Sequence, residues 1–248
     1  MSKAQIIPAV IPKDFYELED KVAQVAGHVK EVHLDMCDGI LTRSTSWPQD
    51  GDKIFEQILI GERGLPEWED VDYEVHLMVA HPEHHIFNWV MGGAYRVIVQ
   101  IESFFPGFKN DFDATGKERL EKMLEKLKTD HGYNVDDEDG FFQIGFSVML
   151  DTPLEVIKPL IERFHFVQVM SIPSIGSQGI PFDERAFARF EELRKLTEKD
   201  ISVDGGVNET NALKLSQAGA DRLVVGSAIF SNDVPSEKVD SLNALFEV

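Results

Sequence analysis

The segment EVHLDMCDG, residues 31–39, is a short apolar run that ends in an Asp-Gly turn, the pattern of a buried β-strand. His33 and Asp35 stand two residues apart in this run, and side chains at i and i+2 lie on the same face of a strand. If that face points into a closed barrel, an imidazole and a carboxylate converge at the C-terminal end of the strand. The segment therefore predicts a strand together with a candidate metal or catalytic site.

Similar β-branched runs alternate with amphipathic helical patterns along most of the chain, which is typical of βα units around a parallel sheet. Strands are predicted at 6–11, 31–35, 73–79, 96–101, 142–148, 166–170, 201–204 and 222–225. Helices are predicted at 14–25, 53–60, 118–128, 153–163, 183–197, 209–218 and 236–246. Eight strands with intervening helices favour a (β/α)8 TIM barrel. An open doubly wound sheet is the alternative, but no G-x-G-x-x-G follows the first strand.

The length fits one domain, because 248 residues with 43% hydrophobic content suffice for one large barrel core. We expect a single TIM-barrel domain over residues 1–248, with long insertions at about 41–72 and 103–140. The second insertion carries an acidic tract at 136–139. Each insertion runs from the end of one strand to the next and is expected to carry a helix and to rim the C-terminal face of the barrel.

The formal net charge of −20 argues against nucleic acid and anionic membranes as partners, because neutralising a phosphate polymer requires clustered Lys and Arg. A small phosphorylated ligand remains compatible with this charge, since backbone N–H groups at glycine turns can hold it. The single cysteine, Cys37, excludes an intramolecular disulfide. No export signal and no apolar run of roughly 20 residues is present, so we expect a cytoplasmic protein.

Two further residues extend the candidate site. His76 lies within YEVHLMV, residues 73–79, and Asp204 closes ISVD, residues 201–204. A carboxylate that faces a barrel interior must be paired or bound to a metal, because an isolated buried charge costs several kcal/mol. Two His and two Asp side chains could bind one divalent ion, with Zn²⁺, Fe²⁺, Mn²⁺ and Co²⁺ all acceptable. A metal-free hydrogen-bonded network is the alternative.

Glycine turns after the last strands predict a phosphate site, since this is where barrels often bind phosphate. Glycine lets the backbone approach the anion, and exposed N–H groups offset its charge. The alternative is that these are only tight turns. The predicted phosphate-binding residues, from the loops after strands six, seven and eight, are Gly176, Ser177, Gly205, Gly206, Gly226 and Ser227.

Six motifs together resemble the ribulose-phosphate 3-epimerase family: HLDMCDG (33–39), HLMV (76–79), VMS (169–171), VDGGVN (203–208), AGAD (218–221) and VGSAIF (225–230). Members of that family are TIM barrels of the ribulose-phosphate-binding type that epimerise a ketopentose phosphate at C3, and the resemblance implies the same fold here. The resemblance implies that one divalent metal ion is held by His33, Asp35, His76 and Asp204. It also implies that Asp35 and Asp204 are the catalytic acid and base, acting through a cis-enediolate that the metal stabilises. An apolar cap over the substrate would come from Cys37, Met78 and Met170.

Several positions depart from the family pattern. Ala9 stands where a serine is usual, residues 40–44 read ILTRS in place of a Phe-Val-Pro-Asn stretch, and the loop after strand six lacks a Pro-Gly-Phe-Gly-Gly run.

The simplest substrate pair is D-ribulose 5-phosphate and D-xylulose 5-phosphate. A ketohexose phosphate such as allulose 6-phosphate, with Arg43 and the sixth loop as the discriminating region, is one alternative. A non-catalytic sugar-phosphate-binding descendant is another. A related decarboxylase or synthase is disfavoured, because no lysine accompanies either HLD or HLM. Barrels of this family commonly associate, so a homo-oligomer is compatible with the resemblance, although the sequence does not decide the oligomeric state.

Overall fold

The predicted apolar runs form eight strands in a computed structural model that describes residues 4–108, 112–137 and 140–246. Each strand pairs in parallel with the next, and β1 pairs with β8, which closes the barrel. The prediction of a TIM barrel is therefore confirmed. The strands are β1 Gln5–Val10, β2 Glu31–Cys37, β3 Asp72–Met78, β4 Ala94–Gln100, β5 Gln143–Met149, β6 Val167–Met170, β7 Ile201–Asp204 and β8 Arg222–Val225.

Helices follow the strands and cover the barrel. They are α1 Phe15–Ala23, α2 Lys53–Leu59, α3 Ile86–Met91, α4 Ala114–His131, α5 Leu154–Ile161, α6 Arg185–Arg194, α7 Ala212–Gln217, α8 Ser227–Phe230 and α9 Pro235–Ala244. Asp14, Asp52 and Asp113 cap the N-termini of α1, α2 and α4 through side-chain bonds to backbone N–H groups. The sequence did not predict α3, because six residues are too few for a helical period to be recognised.

Both predicted insertions contain a crossover helix of the barrel, α2 in residues 41–72 and α4 in residues 103–140. The segment before α2 is held at the end of β2, where Asp38 and Thr45 form an isolated antiparallel bridge. Of the acidic tract, Asp136 and Asp137 belong to the loop after α4, whereas residues 138 and 139 lie outside the described residues.

Alternation along the strands separates an apolar outer layer from a polar interior. On β2, Val32 and Leu34 join the apolar cluster that packs beneath the helices, while His33 and Asp35 are buried on the opposite face. Strand register then sets which polar side chains meet, since Asp35 pairs with His76 across β2 and β3. Among the described residues, no helix has the length and apolar character needed to cross a membrane.

Candidate active site

The structure brings the four predicted metal ligands into one buried cluster. His33 and Asp35 come from β2, His76 from β3, and Asp204 from the end of β7. Nε2 of His33 lies 3.2 Å from Oδ1 of Asp35 and 3.9 Å from Oδ2 of Asp204. Nδ1 of His76 lies 3.3 Å and 3.8 Å from the same two oxygens. One donor atom of each residue therefore falls within 4.8 Å of all the others.

These separations fit a single first-row cation. Donor atoms at about 2.1 Å from a tetrahedral centre lie about 3.4 Å from one another. The four observed separations, 3.2, 3.3, 3.8 and 3.9 Å, lie close to that value. The mixture of imidazole and carboxylate donors suits Zn²⁺, Fe²⁺, Mn²⁺ or Co²⁺ and does not choose among them.

The carboxylate of Glu74 orients the His33 ring through a hydrogen bond. The sequence did not predict Glu74 as part of the site. Its Oε1 lies 2.7 Å from Nδ1 of His33, which puts the proton on Nδ1 and leaves Nε2 free to bind a cation. Its Oε2 accepts a hydrogen bond of 2.7 Å from Arg222, which also pairs with Glu31. Glu74 stands two residues before His76 and therefore on the same strand face, a spacing that could have identified it.

Gln100 and Glu102 support His76 and were also missed. Nε2 of His76 lies 2.8 Å from Oε1 of Gln100, and the amide nitrogen of Gln100 donates to Glu102. Glu102 in turn accepts from the backbone N–H of Met149 at 2.9 Å and from the hydroxyl of Thr152. Burial raises the pKa of Glu102, and these hydrogen bonds oppose that rise.

The surroundings shift the pKa values of the two candidate catalytic carboxyls in opposite directions. Burial alone would raise the pKa of Asp35, but the charges and hydrogen bonds of His33 and His76 outweigh it and lower the pKa to about 2. Burial raises the pKa of Asp204, and the neighbouring charge of Asp35 adds to that rise. A divalent cation would lower the pKa of both, since it favours each charged form.

The histidines respond to the same carboxylates. Burial lowers the pKa of His33, but Asp35 and Glu74 raise it well above 6.5. Burial also lowers the pKa of His76, but hydrogen bonds that its ring donates to Asp204 and Asp35 reverse the direction. Protons therefore compete with a cation for both imidazoles.

A small cavity of about 40 Å³ lies beside the cluster. Asp35 and Asp204 form part of its wall, and so do Ala9, Met78 and Met170. All six predicted phosphate-binding residues line the same cavity: Gly176, Ser177, Gly205, Gly206, Gly226 and Ser227. The loops after β6, β7 and β8 thus face the same space as the carboxylates.

Close packing explains two of these glycines. Gly206 has φ +66, and a Cβ there would come within 2.6 Å of the backbone nitrogen of Phe182. A Cβ on Gly226 would lie 2.5 Å from the amide nitrogen of Gln178. That amide donates to the carbonyl of Ala9 at 2.8 Å, so it ties the loop after β6 to β1 across the cavity wall.

Of the three predicted cap residues, Cys37 alone is outside the cavity lining. It is buried and borders a separate cavity beside Met36 and Asp38. Burial, with the nearby charge of Asp35, raises the pKa of its thiol to about 12. Of the predicted cap, Met78 and Met170 therefore line the cavity beside the cluster, and Cys37 lines a different one.

Comparison with known proteins matches residues 5–230 to the model of the ribulose-phosphate 3 epimerase family. A chloroplastic ribulose-5-phosphate-3-epimerase of Arabidopsis thaliana is 27% identical, over 98% of this chain and 78% of its own. A ribulose-phosphate 3-epimerase of Schizosaccharomyces pombe is 27% identical, over 98% and 93%. Among solved structures, KGPDC from Streptococcus mutans superposes with a TM-score of 0.65 over 99% of this chain and 98% of its own. At 11% identity that likeness supports the barrel fold alone.

Proposed function

The chain belongs to the ribulose-phosphate 3-epimerase family and is an isomerase acting on a sugar phosphate, and from this premise we propose that it interconverts D-ribulose 5-phosphate and D-xylulose 5-phosphate. The observation that carries the proposal is the meeting of Asp35 and Asp204 with two imidazoles in a cavity walled by glycine loops. Inversion at C3 needs an acid and a base near one carbon, and this cavity supplies two carboxyls.

One divalent cation would be held by His33, Asp35, His76 and Asp204, in line with a metal-dependent family. When bound, it supplies Lewis-acid stabilisation for negative charge that develops on the substrate oxygens. The protein contributes the geometry of the donors and the two buried acceptors, Glu74 and Gln100, that orient the imidazoles.

The carboxyls perform the proton transfers. One ionised carboxylate removes the C3 proton, and the electrons of the broken C–H bond move toward the C2 carbonyl oxygen to give a cis-enediolate. The other, protonated, carboxyl then forms a new C–H bond on the opposite face of C3. The roles of Asp35 and Asp204 exchange in the reverse reaction. The different pKa directions of the two groups support this division of labour.

The glycine loops would hold the phosphate. Gly176 and Ser177 follow β6, Gly205 and Gly206 follow β7, and Gly226 and Ser227 follow β8. Backbone N–H groups at such turns bind an anion without adding formal charge, which suits a protein of net charge −20. Met78 and Met170 would cover the apolar side of the reacting carbon.

The test is solvent-deuterium incorporation into D-ribulose 5-phosphate, followed by NMR with protein as purified and after treatment with a chelator. We expect deuterium at C3 together with xylulose 5-phosphate, and loss of both on chelation. Exchange that survives complete metal removal would contradict the metal role. Absence of exchange in metal-replete protein would contradict the pentose substrate and direct the same assay to ketohexose 6-phosphates.

Allulose 6-phosphate or a similar ketohexose phosphate is the second candidate substrate, and one observation favours it. A second cavity adjoins the first through their shared residue Ser177, and Arg43 and Ser174 line it. An extra hydroxymethylene group could extend toward this cavity. Comparing kcat/KM for the two substrates in the wild type and in Arg43→Ala tests the idea, since only the longer substrate should lose more than about tenfold.

We also propose a cytoplasmic location and a homo-oligomeric state for the enzyme. Cell fractionation tests the first, and it is informative because the Arabidopsis relative is named as chloroplastic. Sedimentation equilibrium tests the second, where a mass of 28.0 kDa would identify a monomer.

A further inference from the structure

His76 can bind a cation only through the nitrogen that faces the carboxylates. That nitrogen is Nδ1, which lies 3.3 Å from Asp35 and 3.8 Å from Asp204. A neutral imidazole carries one proton, so a free lone pair on Nδ1 requires the proton on Nε2. The amide nitrogen of Gln168, 3.3 Å from Nδ1, can only donate and so needs the same lone pair. The group opposite Nε2 must then accept the proton on the other side of the ring. That group is the side chain of Gln100, with Oε1 at 2.8 Å.

An amide can present either its oxygen or its NH₂ to a neighbour, so Gln100 by itself leaves the choice open. Glu102 resolves it. The amide nitrogen of Gln100 donates to Oε2 of Glu102, and the amide oxygen is thereby turned toward His76. Gln100 is fully buried, which shields its contact with His76 from bulk water, and Glu102 is 5% exposed where it borders the cavity lined by Arg43 and Ser174.

The other contacts of Glu102 identify it as an acceptor. Its Oε1 receives the backbone N–H of Met149 at 2.9 Å and the hydroxyl of Thr152. Three donors converging on the two oxygens is the arrangement of an ionised carboxylate, which accepts hydrogen bonds and donates none. Only the NH₂ end of Gln100 can complete it.

We propose that Glu102 is a positioning residue, which orients the amide of Gln100 so that His76 keeps its proton on Nε2 and offers Nδ1 to the metal. The inference rests on the proposed metal site and extends it by two residues that do not touch the cation. It gives the two ligand histidines different supports. His33 is held directly by the Glu74 carboxylate, whereas His76 is held by an amide whose direction another carboxylate sets.

Glu102→Gln tests the proposal with almost no change in shape. The new amide must keep its oxygen toward Met149 and Thr152, so its NH₂ faces Gln100. Gln100 then turns its own oxygen toward residue 102 and its NH₂ toward His76, which moves the imidazole proton to Nδ1. Disturbing an outer-shell partner typically costs 10- to 100-fold in metal affinity, and we expect a loss in that range.

The double variant Gln100→Glu with Glu102→Gln is the rescue. A carboxylate at position 100 accepts a hydrogen bond from the new amide and another from Nε2–H of His76. The proton of His76 therefore stays on Nε2, and the net charge of the protein is unchanged. Thr152→Val is the matched control, since it removes one bond to Glu102 but leaves the Gln100 contact. A residue that only braces the loop after β5 would show neither the rescue nor this contrast.

The readouts are Zn²⁺ affinity, from competition with a chromogenic chelator, and the visible spectrum of Co²⁺-substituted protein, with folding checked by circular dichroism. We expect weak binding and an altered Co²⁺ spectrum for Glu102→Gln, recovery to within about threefold in the double variant, and wild-type behaviour for Thr152→Val. If Glu102→Gln does not fold, Gln100→Met removes the same acceptor and should show the same loss of affinity.

The outcomes separate the two proposals. A wild-type protein that binds no Zn²⁺ would overturn the proposed metal site. A wild type that binds well, together with unchanged affinity in Glu102→Gln or in Gln100→Met, would overturn the positioning role alone. Failure of the double variant to recover affinity would also overturn it, because the restored acceptor would then be irrelevant.

Discussion

Glu74→Gln is the substitution that most directly tests the buried support beneath the site. Glu74 accepts at both oxygens, from Nδ1 of His33 at 2.7 Å and from Nη2 of Arg222 at 2.7 Å. A glutamine has one oxygen, so one of these two donors must face an NH₂ group whichever way the amide turns. The charged guanidinium is the stronger donor and should keep the oxygen. His33 would then face the NH₂ and move its proton to Nε2.

The structure sets the size of the effect. Breaking a buried ion pair by removing one charge costs about 3–5 kcal/mol in unfolding free energy. Arg222 retains Glu31 at 2.6 Å and Oε1 of Gln5 at 2.9 Å, so we expect the lower end, about 3 kcal/mol. Zn²⁺ affinity should fall as well, by roughly 10- to 100-fold, because Nε2 of His33 is no longer free.

Urea unfolding of metal-free protein measures the first quantity, and chelator competition measures the second. Glu121→Gln is the matched control, since it removes the charge of a bidentate but exposed pair with Arg163 and should cost no more than about 1 kcal/mol. If Glu74→Gln lowers the free energy of unfolding by less than about 1 kcal/mol at unchanged m-value, the reasoning is refuted, because the buried carboxylate would then not stabilise its two donors, His33 and Arg222.

Three further predictions concern the chemistry. Asp35→Asn and Asp204→Asn should each abolish turnover in the NMR exchange assay, and a variant keeping more than about a tenth of the activity would overturn the two-carboxylate mechanism. Carboxylate neighbours raise the pKa of His33 and His76 above 6.5, so protons displace the metal on acidification. Zn²⁺ affinity measured at pH 6, 7 and 8 should therefore rise with pH, and an affinity that does not change with pH would contradict this competition. Ala9→Ser places a hydroxyl on the cavity wall and should be tolerated with a lower KM, whereas loss of activity would show that the assumed substrate pose is wrong.

The sequence predicted the barrel well because its strands are short apolar runs with clear ends. The run at 201–204 coincides with β7, and the run at 31–35 falls within β2, which extends two residues further to Cys37. Two helices were not predicted, α3 and the four-residue α8. α3 has Ile86, Trp89 and Val90 buried but lasts less than two turns. Periodicity cannot identify so short a helix, and it is the neighbouring strand β4 that holds it in place.

The candidate ligands were predictable for a different reason: Asp35, His76 and Asp204 lie within two residues of the C-terminal end of a strand, and His33 shares a strand face with Asp35. Their supports were harder to predict: spacing places Glu74 on the strand face of His76, but only strand register shows which side chain a buried Glu or Gln faces. His33 lies opposite Glu74 across β2 and β3, and Gln100 lies on β4 beside the strand of His76. Glu102 is harder still, since its partners Met149 and Thr152 lie about fifty residues further along the chain.

Charge balance explains why the two supports differ. Glu74 is compensated by Arg222, so its carboxylate can contact His33 directly without leaving an unpaired charge in the barrel. Within the part of the chain that the structure describes, no salt bridge reaches Glu102, and only hydrogen-bond donors stabilise its charge. A charge held in that way is costly to bury, and a neutral residue of the same shape could fill the space. What a neutral residue could not do is force the oxygen of Gln100 toward His76, and this is the physical reason to assign Glu102 to the metal site and not to the packing of the loop.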